Sequence, residues 1–242
     1  MRDEQNEAVI TMETREGYPT AITHKLGRIV ELSHMLVPGE EEFLLEMKTS
    51  PVEEVMPRIE RRSDILYVLG EVRMSTHVGT HIEFPYHHRR DGRSAAEYPL
   101  ARLIGEAVVL DFSHKKKDEE ITAEEIRATG VHVRRGDTVL IRTDMHRLWK
   151  TPRGHDRPVL AIDAAQYLVA LGIHSIGTDA TGLEVRGRDD QPVHEILFSH
   201  DVAVIESMTN LDQLSRERFT LFVLPLRVQG MDSCPVRVIA CE

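Results

Sequence analysis

A chain of 242 residues, 41% hydrophobic and 29% charged, has a globular composition and is long enough to bury a core without disulfide or metal staples. Its formal charge of −10 excludes the broad basic surface by which nucleic acid and anionic membranes are held, and no apolar run approaches the roughly 20 residues that cross a bilayer. Two cysteines, Cys234 and Cys241, are too few for a disulfide framework and point to a reducing, cytoplasmic setting.

The first 27 residues are polar and mixed in charge, and are expected to form an arm outside the folded domain, 28–242. RIVELSHML reads as a short strand ending at the Pro38-Gly39 turn. Residues 46–65 are charged and carry Pro51 and Pro57, which places them in an exposed excursion. ILYVLGEVRM, 65–74, is rich in apolar and β-branched residues and is expected as a buried strand, and EAVVLDF, 106–112, as another. Lys115, Lys116 and Lys117 are followed at once by acidic residues and read as a solvated loop.

Thr122 and Glu125 form a capping box that starts a helix, and Gly130 ends it. TVLIRT, 138–143, is a strand. A second helix follows, with Asp163 as its N-cap, Gln166 three residues on and Gly172 closing it. HSIGTD is a strand, Pro192 opens a short helix to about Ser199, and DVAVIE, 201–206, is a buried strand. FTLFVLPLRV and PVRVIA are strand-like. Strands alternating with helices before a strand-rich tail predict an α/β fold with mixed sheets in one domain.

STHVGTHIEFPYHH, residues 75–88, raises the functional question, because four of its residues are histidines. His77, His81, Glu83 and His87 are all odd-numbered, so an extended chain points them to one side. Four residues of regular strand cover roughly 13 Å, too far for two nitrogens that must each lie about 2.0–2.1 Å from one ion. Gly79 and Pro85 argue against a helix. A strand bent at Val78-Gly79-Thr80, where glycine permits unusual dihedrals, brings the side chains together. Imidazole and carboxylate without thiolate suit Zn²⁺ or Mn²⁺. Unrelated surface histidines beside a loop remain the alternative at this point.

HVGTHIEFPYH resembles the HxGTHxDxPxH signature of the cyclase-like, kynurenine formamidase superfamily of metal-dependent hydrolases. The resemblance continues in order through VELSH, DGRSAAEYPLARLIGEAVVLDF, VLIRTD, GIHSIGTDATGLE and VHEILFSHDVAVIESMTNLDQL. It implies a swivelling β/β/α-type fold, with His77, His81 and Glu83 as metal ligands and His87 as the acid/base. His194 and Glu206, twelve residues apart, correspond to the family's second motif and imply a second metal position, bridged by Glu83 or Glu206. One or two divalent ions per subunit, Zn or Mn, and a homodimer or homotetramer follow from the same resemblance.

The implied activity is hydrolysis of an amide, lactam or ester bond of a small molecule by a metal-activated water. The alternatives are a metal-dependent lyase or isomerase that stabilises an enolate, and a non-catalytic binding protein on the same fold. Two departures stand out: Glu83 replaces the family Asp, and Val37-Pro38-Gly39 stands where Trp-Pro-Gly is usual, which argues against N-formylkynurenine as substrate. HEILFSH resembles the start of a zincin motif, but its histidines, His194 and His200, are too far apart for one helical face. His88 is expected to point away from His87. Asp179 either supports a ligand histidine or forms a turn, and Trp149 is core or pocket wall.

Overall fold

The computed structural model describes residues 27–242, so the expected arm lies outside the described residues except for Gly27. In chain order, β1 (Ile29–Glu31) leads to a ribbon of β2 (Leu45–Pro51) and β3 (Val68–Met74), joined by the one-turn helix α1 (Val52–Val55) and irregular chain. The histidine segment supplies β4 (His81–Glu83). Then follow β5 (Ile104–Asp111), β6 (Glu120–Ile121), α2 (Ala123–Ala128), β7 (Thr138–Arg142), β8 (Val159–Leu160), α3 (Ile162–Leu171) and β9 (Ser175–Thr178). α4 (Pro192–Ser199), β10 (Ala203–Glu206), β11 (Arg218–Val223), β12 (Ser233–Pro235) and β13 (Val238–Cys241) complete the described chain.

Nine of these strands form one mixed sheet in the order β1-β13-β11-β5-β7-β9-β10-β4-β12. Its middle, β5 to β10, is parallel and the flanks are antiparallel. Parallel strands are buried on both faces, and the pleat sorts their residues. Val108, Leu110, Val139 and Ile141 face the helices, where Ile126, Leu168, Leu197 and Phe198 meet them. Ala107 and Leu140 face the other side, where the sheet curls and Val30, Ile82, Phe84, Leu221 and Val238 close over them. Each fully buried side chain of this kind contributes roughly 1.5–3 kcal/mol. The result is a single mixed α/β domain.

Two local expectations are corrected. Residues 65–74 do contain a strand, but among the described residues it pairs only with β2, and Leu66, Val72 and Met47 stand exposed. The ribbon's apolar content therefore does not report burial in this chain. The second helix begins two residues earlier than expected: Ala161 is its N-cap, without a side-chain bond. Asp163 instead lies in the first turn and its carboxylate accepts from the Ala123 N–H at the start of α2, at 3.2 Å, tying the two helix starts together. The Thr122–Glu125 capping box and the left-handed Gly172 are as expected.

Candidate metal centre

The backbone bend at Gly79 organises the site. Gly79 has φ +67°, and a Cβ there would come within 2.2 Å of Leu36 Cδ2, so only glycine fits both the dihedral and the space. Thr80 then anchors the bend, donating its hydroxyl to Ser207 O at 2.6 Å while accepting from the His34 N–H at 3.0 Å. Beyond the bend β4 pairs with β10, with His81 opposite Glu206 and Glu83 opposite Val204. Directly opposed residues share a sheet face, and Val204 belongs to the helix-facing core. His81, Glu83 and Glu206 therefore all point towards the helices, while Ile82 and Ile205 fill the opposite core.

α4 brings the next donor to that face. Pro192 opens the helix, and Val193, Leu197 and Phe198 bury its inner side, which leaves His194 directed at the carboxylates. His194 Nε2 lies 3.4 Å from Glu83 Oε2 and 3.5 Å from Glu206 Oε1. His81 Nε2 is 3.5 Å from Glu83 Oε1 and His77 Nδ1 is 3.0 Å from the same oxygen. Two donor groups thus form, His77/His81/Glu83 and Glu83/His194/Glu206, with Glu83 common to both.

The ring nitrogens turned away from this centre are each engaged. His81 Nδ1 donates to Gly79 O at 2.8 Å, and His194 Nδ1 meets the Glu184 carboxylate at 2.5 Å. His77 Nε2 and His87 Nδ1 both meet Asp232 Oδ2 at 3.0 Å. Histidine ligands of metals are held in this way, by a carboxylate or carbonyl on the far nitrogen. His81 Nε2 and Glu83 Oε2, by contrast, are buried and have no hydrogen-bond partner. Unpaired buried polar atoms are costly, and these two lie in the one region where a divalent cation would satisfy them. Their donor chemistry fits such an ion.

The electrostatics agree. Burial on its own pulls the His77 pKa down, but the Glu83 carboxylate and then Asp232 outweigh it and hold the ring at about 9. His81 and His194 are likewise raised against burial, His81 by Glu83 and His194 by Glu184, Glu206 and Glu83. Burial opposes ionisation of Glu83, yet His194, His77 and His81 hold its carboxyl well below the usual range. Without a metal, protons do the neutralising that a dication would otherwise do.

The five residues expected as ligands, His77, His81, Glu83, His194 and Glu206, are therefore brought together by the fold. His87 closes a short 3-10 turn, Pro85–His87, with its Nε2 3.9 Å from Glu83 Oε1. That turn also corrects the expectation for His88: its ring does not point away but packs 5.4 Å from the His194 ring and 5.2 Å from Phe198. Asp179 serves the turn and no ligand. Its oxygens accept from Thr143 N, Thr143 Oγ1, Asp144 N and His146 Nδ1, at 2.6–3.2 Å, and so brace the segment that ends at Trp149. His200 is exposed and remote in role from His194.

Sequence reasoning missed Asp232, Glu184 and Arg157. The first lies 145 residues from His87 and no local pattern links them. Glu184 stands ten residues before His194, a separation that means nothing until the loop folds back.

A cavity of about 190 Å³ opens on this centre, walled by Trp149, Phe43, His155, Arg157 and Thr181. Trp149 is thus pocket wall, stacked on His34 at 4.5 Å.

The Cyclase family model matches residues 22–185. The chain belongs to the Cyclase family. Among cyclase-family relatives, the kynurenine formamidase of Sphingopyxis alaskensis is 32% identical over 169 residues, covering 69% of this chain and 77% of that one. The solved structure of a predicted metal-dependent hydrolase from Bacillus stearothermophilus superposes with a TM-score of 0.69 at 26% identity, over 88% of this chain and 97% of the other. Isatin hydrolase A of Ralstonia solanacearum shares the fold, with a TM-score of 0.75 at 21% identity, over 95% and 99% of the two chains. Among the described residues of this cyclase-family chain, no helix is long and apolar enough to cross a membrane.

Proposed function

We propose that the protein is a metal-dependent hydrolase of an amide, lactam or ester bond in a small molecule. In this reading His77, His81, Glu83, His194 and Glu206 hold one or two divalent ions, Zn or Mn, and His87 is the acid/base. One observation carries it: His81 Nε2 and Glu83 Oε2 lie buried without a hydrogen-bond partner, at 3.4–3.5 Å from their neighbours in the cluster, among imidazoles whose other nitrogens are engaged. Support also comes from relatives named kynurenine formamidase and isatin hydrolase.

A divalent cation in such a site supplies Lewis acidity and lowers the pKa of a water towards about 7. The chain's own residues do the rest. Glu83, common to both donor groups, would serve either ion with its carboxylate. Glu184 and Gly79 O fix the His194 and His81 rings, so that their Nε2 atoms need not reorganise. Asp232 accepts the Nδ1–H of His87, which leaves Nε2, on the side of Glu83, to deliver a proton to the leaving nitrogen or oxygen.

The exposed apolar ribbon supports assembly as a homodimer or homotetramer, because Leu66, Val72 and Met47 form a patch that a second copy would cover. Two free, buried cysteines support a cytoplasmic setting.

The test is a screen of N-formyl, lactam and lactone compounds in ¹⁸O water. Metal-dependent turnover with ¹⁸O in the product carboxylate is expected, and N-formylkynurenine, given Val37, is expected to be a poor substrate. Turnover without ¹⁸O incorporation would assign the site to a lyase or isomerase instead.

A further inference from the structure

The charges around the cavity balance everywhere but at Arg157. Glu42 pairs with Arg186 and His155, Glu41 pairs with Lys150, and Glu83 and Glu206 belong to the proposed metal centre. Arg157 is 8% exposed and lines the same cavity, yet among the described residues it forms no ion pair.

Its seat is specific for a guanidinium. Nη1 donates to Thr181 Oγ1 and Nη2 to Glu184 O, each at 2.9 Å, and both acceptors are neutral. Gly182, at φ +150°, leaves the room: a Cβ there would stand 2.5 Å from Nη2 and 2.9 Å from Cζ. Nε has neither solvent nor an acceptor. Burial presses against the charge, and the more distant Glu206 only partly offsets it. A buried cation without a counter-charge is strongly unfavourable unless something supplies one. Arginine is also the side chain best matched to a carboxylate.

We propose that the substrate is a small anionic molecule whose carboxylate pairs with Arg157 while its scissile carbonyl lies at the Glu83–Glu206 centre. This rests on the hydrolase reading and narrows it. The cavity volume of about 190 Å³ compares with the roughly 150 Å³ that holds benzene, so the substrate has about one ring. A cyclic amide or N-acyl arene bearing a carboxylate meets both conditions. The rival role for Arg157 is to offset the charge of Glu206, with no part in recognition.

Calorimetric titration of the metal-loaded protein with benzoate and with benzamide separates the two. Arg157→Met is expected to weaken benzoate binding at least tenfold more than benzamide binding, and Arg157→Lys to fall between. Because the substitution removes an unpaired buried charge, the Met variant is expected to melt no lower than the parent. Benzoate that fails to bind the parent, or that binds parent and Met variant equally through the metal alone, overturns the proposal; so does an equal loss for both ligands.

In turnover, N-formylanthranilate and formanilide differ only in the carboxylate. In each the formyl C–N bond breaks, water supplies oxygen to the formate, and the aniline nitrogen gains the proton. The Met variant should lose kcat/KM for N-formylanthranilate at least tenfold more than for formanilide, the difference residing in KM. If neither is hydrolysed, the hydrolase reading is what suffers, and benzoate binding still decides the role of Arg157. Hydrolysis of both with an equal effect of the substitution leaves that reading standing and removes this one.

Discussion

Removing the metal should reverse the pH dependence of stability between pH 6.5 and 9. In the metal-free protein His77 titrates at about 9 rather than 6.5, because the Glu83 and Asp232 carboxylates outweigh its burial. A histidine whose folded pKa lies above its unfolded value stabilises the fold fully below pH 6.5. That contribution disappears as pH rises through about 9. The separation of about 2.5 pH units corresponds to at most about 3–4 kcal/mol. His81 and His194, also raised, push the same way. The loaded protein behaves oppositely, since its imidazoles must be deprotonated to bind and loading releases protons, so affinity grows with pH. Melting temperatures across this range, with Zn²⁺ or with a chelator, read the difference. The stripped protein should lose several degrees per kcal/mol at most while the loaded protein holds or gains. Parallel curves would refute the idea that protons and metal compete for these side chains.

Three further outcomes are expected. His87→Gln should retain metal but lose turnover by about 10² or more, the usual scale of acid/base help; unchanged turnover removes His87 from the chemistry. Glu184→Ala frees His194 Nδ1 and should weaken metal binding by about 10–100-fold in a chelator competition, as other supporting carboxylates do, with the circular-dichroism spectrum preserved. Gly79→Ala forces a side chain into a left-handed backbone and against Leu36; it should cost about 2–4 kcal/mol by denaturant unfolding and lower the metal content as well.

The repeating strands and helices were legible because their periodicity and caps are local. Thr122 with Glu125, Gly172 and Pro192 mark helix ends wherever the chain goes. The histidine bend was legible for a related reason: Gly79 sits between His77 and His81, and the odd-numbered pattern survives as the shared face of His81 and Glu83. Residues 65–74 misled because apolar content reports a tendency to be covered, and nothing in the sequence states by what. Asp163 misled because cap preference does not reveal that a neighbouring helix start competes for its carboxylate. Asp232, Glu184 and Arg157 were illegible because their roles arise only when distant loops meet.

The central claim, a cation held between His77, His81, Glu83, His194 and Glu206, is tested most directly by anomalous diffraction at the metal edge from crystals grown with Zn²⁺ or Mn²⁺. One or two peaks beside Glu83, within about 2.0–2.2 Å of His81 Nε2 or His194 Nε2 for zinc, are predicted. A map with no peak there, or with its peak at the Asp144, His146 and Asp179 group instead, would contradict the account.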